Sequence, residues 1–416
     1  MDSLTQRDSV LDGLYPEPEP AFTSAEYVHR LDRVRTRMAQ SSIDCLFISA
    51  PEGMYYLSGY RSAFMQGQNP KQWPPTSGIA VHVNDDDYIL FDTDRETVMH
   101  RTYTGARDVR YFPPGRTRDG TAFIADELAM KGWLRGTVGL EYWSYRPNRA
   151  VSERFQGHIE AHGGQVVDAS DVLREVRWLK SADEMSCLRE AGRVGRAGLR
   201  AAAGTIRPGA MELTVLGEVL GAMGREGGEV PGVIPPVLSG PKTASPHALA
   251  SDRRIGADEP VVVDLSGVSA RYHANLARTW WTGKVPADVE SIAQRAAQSL
   301  AVVKAALKPG VTADALAKEM VRYYKEVDLW EIRSWVGGYE MGIAFPPAWT
   351  GNYVFDPDSE IGCDKVFEAG TAINFENQFF LPRNQGLFFL IETVLLEPDG
   401  AQLLSEEVPY RIESTG

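Results

Sequence analysis

Within VVVDLSGVSARYHANLART, residues 261–279, one carboxylate stands where a pair would make a cation site. The stretch reads as a hairpin: an apolar strand closed by Asp264, a turn at Ser266-Gly267, and a second strand alternating around Tyr272, Ala274 and Leu276. An acid eleven residues after Asp264 would complete a pair of metal-binding carboxylates, and that position holds Asn275. An amide brings a neutral carbonyl and two N–H donors, which is hydrogen-bonding chemistry rather than charge neutralisation. His273 shares strand parity with Asn275 and is expected on the same side.

The elements that must hold this hairpin fall into two groups. Residues 1–22 end in PEPEPA and read as an extended, loosely held arm. A helix begins after Thr23-Ser24, with Glu26 in capping position and Tyr27, Leu31, Val34 and Met38 at helical spacing. Strands then alternate with helices through IDCLFISA, GIAVHV, DYILFD, TVGLEY and QVVD, giving an α/β domain over 23–176. From 177 to 416 the pattern changes. Ser181 with Glu184 opens a long helix, and a second helix spans roughly 211–225. Strands are expected at 231–238, 260–266 and 271–282, helices at 288–307 and 313–326, and further strands to the end. Helices over a largely antiparallel sheet make this an α+β domain.

Composition narrows the function. The 416 residues are 43% hydrophobic and 24% charged, as in a soluble globular protein. A net charge of −13 with no basic run argues against nucleic acid. No apolar stretch approaches the ~20 residues that span a bilayer. The polar start MDSLTQRDSVLDG is not a secretory signal, and Cys45, Cys187 and Cys363 lie far apart without a CxxC, so a cytoplasmic setting is expected.

The element order and the spaced acids resemble the pita-bread family, which includes methionine and Xaa-Pro aminopeptidases, prolidases, creatinase and ectoine hydrolase. The resemblance runs from about residue 24 to the C-terminus and includes VRWLKSADEMSCLREAG, close to the usual start of the family's catalytic domain. It implies a creatinase-like α/β N-terminal domain and a pita-bread catalytic domain. Metallopeptidase members hold two ions with two Asp, one His and two Glu. Carried over residue by residue, these fall on Asp264, Asn275, Tyr339 in GGYEMGIAFPP, Glu376 in INFENQ and Glu392 in LIETVLLEPDG. Two metals need anionic bridging ligands, and an amide and a protonated phenol are poor substitutes. No metal and no cofactor is therefore expected, although a single hard cation on Asp264, Glu376 and Glu392 stays open. Three acids in one cavity cannot all ionise cheaply, so at least one is expected to hold its proton.

RYHANLART and GGYEMGIAFPPAW look most like ectoine hydrolase, and the replaced ligands look like creatinase. By that resemblance His247, in SGPKTASPHALASDRRI, is the general acid and base, with Glu376 and Glu392 completing the catalytic set. Asp264, His273, Asn275, Tyr339, Phe345 and Trp349 would bind substrate, with Phe64 and Met65 reaching in from a partner subunit. Two positions depart from creatinase: Gly67 falls near its loop arginine, and Ala277 falls where its strand carries an acid. The reading is a metal-independent hydrolase of a C–N bond in a small cationic or zwitterionic nitrogen compound. The alternatives are a metal-dependent Xaa-Pro aminopeptidase or prolidase-like peptidase, a lyase, or a non-catalytic binding protein. The loop at 60–73 carries Phe64, Met65 and Trp73, which a monomer would expose, and the resemblance also implies pairing of subunits. Light scattering is expected to give the mass of a homodimer; a monomer at working concentration would remove that expectation.

Overall fold

The computed structural model describes residues 3–14, 19–63, 76–113, 120–359 and 362–415. Phe64, Met65, Gly67 and Trp73 lie outside the described residues. The chain divides into two compact units, Met1–Arg177 and Trp178–Gly416.

In the first unit, six strands form one sheet in the order Asp108–Tyr111, Tyr88–Asp92, Gly78–His82, Cys45–Ile48, Thr137–Leu140 and Gln165–Asp168. Cys45–Ile48 pairs antiparallel with Gly78–His82 and parallel with Thr137–Leu140. Its core gathers Phe47, Ile89, Phe91, Ile124, Leu128, Phe155 and Ile159. The helix Ser24–Gln40 is capped by the Thr23 hydroxyl, which accepts from the Glu26 N–H. The expected extended arm is corrected: Ser3–Leu14 is helical. The PEPEP signal starts only at Pro16, so the residues before it contain no proline to interrupt a helix. The Arg7 guanidinium donates to the Arg95 carbonyl at 3.2 Å, and the Glu19 N–H to the Thr102 carbonyl at 2.6 Å.

The second unit carries the site. Its elements, in chain order, are α1 (Ala182–Thr205), α2 (Glu212–Arg225), β1 (Val237–Ser239), β2 (Pro260–Ser269), β3 (Tyr272–Thr282), α3 (Ala287–Ala306), α4 (Ala313–Glu326), β4 (Arg333–Tyr339), β5 (Ala372–Phe380) and β6 (Leu387–Glu397). Nine strands make one sheet, with β4, β5, β6, β3, β2 and β1 adjacent in that order and antiparallel. One face packs against α3 and α4 through Phe375, Leu390, Val394, Leu300 and Leu316. Ser181 and Glu184 form the reciprocal cap that starts α1, and the Tyr272 hydroxyl donates to Glu184 at 2.7 Å.

The β2–β3 turn is not at Ser266-Gly267. The strand continues to Ser269, and the chain reverses at Ala270-Arg271, with φ of +46° and +60°. Two positive φ values match the right-handed twist of a tight hairpin. The glycine has a different task. A Cβ on Gly267 would stand 2.0 Å from the Ala191 carbonyl oxygen and 2.4 Å from the Gly195 nitrogen, so its absence lets α1 lie directly on the sheet. The strand expected over 231–238 is confined to Val237–Ser239, since Pro235 and Pro236 have no N–H to give a ladder.

Gly267→Ala is expected to destabilise by about 1–3 kcal/mol, because the obstacle is backbone and cannot swing aside. Gly217→Ala, on the exposed side of α2 with nothing within 4 Å of the new methyl, should instead stabilise by roughly 0.5–1 kcal/mol. Urea unfolding of the two variants gives both signs; a Gly267→Ala protein as stable as the parent would contradict the contact.

Candidate active site

Directly opposed residues of antiparallel strands point to the same face. Asp264 opposes Ala277, Ala277 opposes Ile391, and Ile391 opposes Glu376, so one row crosses four strands. The two acids end the row, and two hydrocarbon side chains stand between them. Leu238, Val262, Leu387 and Phe389 join Ala277 and Ile391 in one apolar cluster. Asp264 and Glu376 therefore sit at the edges of an apolar floor.

A chain of amides links them above that floor. Asn275 donates its Nδ2 to Asp264 Oδ1 at 2.7 Å and to the Leu265 carbonyl at 3.1 Å. Its Oδ1 accepts from Asn374 Nδ2 at 2.8 Å and from the Tyr339 hydroxyl at 3.2 Å. Asn374 also donates to Glu376 Oε1 at 3.0 Å, and Gln378 to Glu376 Oε2 at 2.9 Å. Trp349 Nε1 donates to the Tyr339 hydroxyl at 2.9 Å, and the Tyr339 N–H donates to Asn374 Oδ1 at 2.6 Å. Asn374, Glu376 and Gln378 alternate along β5, and the spacing in INFENQ signals one polar face. Asn374 and Gln378 are site residues that the reading by motif passed over.

Electrostatics follow from this placement. Burial, and then the Glu376 charge, push the Asp264 carboxyl well above the usual carboxylate range, against a lowering hydrogen bond from Asn275. Burial raises Glu376 to about 6, with Gln378, Tyr339 and Asn374 pulling the other way. Burial and the two nearby acids hold the Tyr339 phenol protonated and able to donate. The expectation that crowded acids retain a proton fits this pair.

Glu392 does not join them. It opposes Phe375, one residue out of step with Glu376, so its side chain faces the helices. There its carboxylate accepts from the Leu404 N–H at 3.0 Å, the Ser405 N–H at 2.9 Å and the Ser405 hydroxyl, with Arg278 at 3.4 Å. The convergence of three carboxylates is thus corrected to two. The β6 side chains on the acids' face are Ile391 and Thr393, whose hydroxyl donates to the Asn275 carbonyl at 2.8 Å. In a strand, a shift of one residue exchanges the faces.

His273 is buried with both ring nitrogens used: Nε2 accepts from the Gly232 N–H at 2.9 Å, and Nδ1 donates to the Arg271 carbonyl at 2.8 Å. Burial lowers it to about 3, so it stays neutral and pins the 232 loop. Phe345 is buried with the Arg271 guanidinium 4.7 Å from its ring centroid. His247 is exposed in the turn after β1, and its neighbour Ala248 packs on the apolar cluster that floors the site. His247 is therefore the chain neighbour of a side chain that packs on that face.

The donor set does not fit the two-metal centre implied by the resemblance. Two carboxylates face the site, Asn275 spends its carbonyl on Tyr339 and Asn374, and Tyr339 takes the imidazole position. Among the described residues, no group of three or more His, Cys, Asp or Glu side chains is placed to hold an ion. Nor is any described helix long and apolar enough to cross a membrane.

An antiparallel sheet backed by helices, following a separate α/β unit, is the two-domain architecture of creatinase and the prolidases. The model of metallopeptidase family M24 matches residues 186–398, and that of the creatinase/prolidase N-terminal domain matches 30–179; the chain belongs to family M24, with its hydrolase fold. It is 25% identical to the ectoine hydrolase of Halomonas elongata over 419 residues, covering 92% of this chain and 96% of that one. It is equally 25% identical to the Xaa-Pro dipeptidase of Pyrococcus furiosus over 380 residues, covering 91% and 97%. The structure of a Xaa-Pro dipeptidase from Bacillus anthracis superposes with a TM-score of 0.78 at 17% identity, over 94% of this chain and 100% of that one.

A carboxyl whose folded pKa lies above its unfolded value gives stability that is complete below the unfolded value and is lost as pH rises through the folded one. Asp264→Asn keeps the acceptor for Asn275 and cannot ionise. Thermal melts from pH 4 to pH 8 are expected to show the variant gaining on the parent as pH rises. A difference independent of pH would mean that Asp264 ionises in the fold as freely as in the unfolded chain.

Proposed function

We propose that this chain is a metal-independent hydrolase of a C–N bond in a small cationic or zwitterionic nitrogen compound, in the manner of ectoine hydrolase and creatinase. The observation that carries the reading is the row Asp264–Ala277–Ile391–Glu376, bridged by Asn275 and Asn374: a site built to hold protons and a positive nitrogen beside hydrocarbon.

At neutral pH Glu376 is mostly ionised, since its carboxyl titrates near 6, and it would take the positive nitrogen of the substrate. Asp264, held protonated by burial and by Glu376, would donate a hydrogen bond to a neutral heteroatom. Tyr339, kept in place by Trp349, would turn its one O–H from Asn275 to the oxygen that gains charge as water adds. His247 would take a proton from the attacking water. The new C–O bond forms at the carbon of the C–N bond, the nitrogen leaves with the electron pair, and His247 returns the proton to it.

A metal-dependent dipeptidase is the second reading, and the 25% identity to the Pyrococcus furiosus Xaa-Pro dipeptidase supports it. Metal analysis of purified protein separates the two: stoichiometric Mn, Fe, Co or Zn together with Xaa-Pro cleavage would replace the first reading with the second. Under the first, a panel of cyclic amidines, guanidino acids and their acyl derivatives, with ectoine among them, should contain a substrate turned over in the presence of chelator. His247→Ala should then lower kcat by about 10²–10⁴-fold with the fold intact. Unchanged kcat in that variant would remove His247 from the chemistry.

A further inference from the structure

The loop that carries His247 leaves β1 at Ser239 and returns to the start of α2 through residues 251–255. Both legs end on one side chain. Glu212, the first residue of α2, is fully buried. On the outgoing leg it accepts from the Ser239 N–H at 3.0 Å, the Ser239 hydroxyl at 2.7 Å and Lys242 Nζ at 2.5 Å. On the returning leg it accepts from the Ser251 N–H and the Ser251 hydroxyl, each at 3.0 Å. Lys242 Nζ also reaches Ser251 Oγ at 3.0 Å, so the two legs are joined to each other as well as to the carboxylate. Burial pushes the Glu212 carboxyl up, but Lys242 and the serine donors outweigh it and hold it below its ordinary value, so the group is a carboxylate.

The backbone repeats the attachment. The N–H groups of Glu212 and Leu213 donate to the carbonyls of Arg253 and Ser251, and Gly209 and Ala210 pair with Ile255. Near the outgoing leg, the Thr243 hydroxyl accepts from the Leu387 N–H at 3.1 Å, tying the loop to the first residue of β6. What stands clear of these ties is the segment around His247, with Ala248 resting on the apolar cluster of the site.

We propose that Glu212 is the positioning residue of the proposed reaction: a buried carboxylate that closes the Ser239–Ser251 loop at its neck and thereby fixes His247 at the rim of the Asp264–Glu376 face. The inference rests on the role given to His247 above. Five donors converge on one carboxylate that no part of the acid pair touches. A loop closed only by its two backbone ends would let its tip range over many conformations, whereas one pinned at the neck keeps its imidazole within a small volume. The charge matters as well as the shape, because a carboxamide would lose the Lys242 attraction and would set an N–H against one of the converging donors.

The test uses the full-length protein and three variants, Glu212→Gln, His247→Ala and the double variant. Hydrogen exchange read by mass spectrometry needs no substrate. In Glu212→Gln, peptides spanning 240–251 are expected to exchange at least about 10-fold faster, while those of α1 and β5 keep the parent rate. With the amidine or guanidino compound that the parent turns over fastest, Glu212→Gln should lower kcat by about 10–100-fold and leave KM within about 2-fold. In the His247→Ala background the same substitution should cost almost nothing further, because there is no imidazole left to position. Unchanged exchange over 240–251 would overturn the clamp. A full additional loss of kcat in the double variant would show that Glu212 acts other than through His247, and would also overturn the proposal. Should His247→Ala alone retain full kcat, the reaction scheme fails, and the positioning role fails with it; exchange in Glu212→Gln would still report whether the neck is closed, which separates a wrong scheme from a wrong clamp. Global unfolding of Glu212→Gln would be seen as accelerated exchange everywhere; in that event Lys242→Met, which removes the charge partner from a partly exposed position, carries the same comparison.

Discussion

Two carboxyl groups, Asp264 and Glu376, share one face of a sheet floored by Ala277 and Ile391, and the surroundings are arranged around the difficulty of keeping them there. The side-chain donors that reach them are neutral amides, so each would be costly to ionise in such a setting. Hydrogen-bond donors take the place of counter-charges. Asn275, Asn374 and Gln378 supply amide N–H groups to the acids, and the Asn275 carbonyl collects Tyr339 in turn. A carboxylate at 275 would have brought a third charge to this face and no donor, which is why the amide is the residue compatible with an ion-free site.

The opposite face manages its acid differently. Glu392 is as deeply buried as any side chain in the protein, yet it has Arg278, two backbone N–H groups and a serine hydroxyl. It behaves as a structural anchor for the chain after β6, holding Leu404 and Ser405. Glu212 follows the same rule at the neck of the His247 loop, with Lys242 as its cation and two serines around it. Fully partnered acids hold this fold together. Of the acids supplied with neutral donors, Glu376 is raised by burial to about 6, while burial and the Glu376 charge push Asp264 well above the usual carboxylate range.

Chemistry therefore depends on scaffolding in two places. The long α1 approaches β2 closely because Gly267 and Gly195 present no side chains to each other, and this fixes the strand that carries Asp264. The loop above is fastened at its neck. His273, which has the ring of a catalyst, is committed to backbone partners on both nitrogens and contributes rigidity.

Much of this was legible in the sequence. The change of pattern near 177, the Ser181–Glu184 cap, the hairpin around Asp264 and Asn275, and the polar alternation of INFENQ are local properties, and local properties are written in periodicity and capping residues. It is the resemblance to the pita-bread family, and not periodicity, that brings Asp264, Asn275, Tyr339 and Glu376 into one reading. What the sequence alone left undecided was parity and partnership. Whether Glu392 or Ile391 faces the acids turns on a register shift of one residue between β5 and β6, which hydrophobic runs such as GLFFLIETVLL do not specify because both faces there are buried. The hairpin's turn was misplaced for a related reason: Gly267 looked like a turn residue, and only the approach of α1 shows it to be a contact residue. The clamp at Glu212 joins residues 212, 239, 242 and 251 through side chains that carry no motif, so the tertiary structure alone could assemble it.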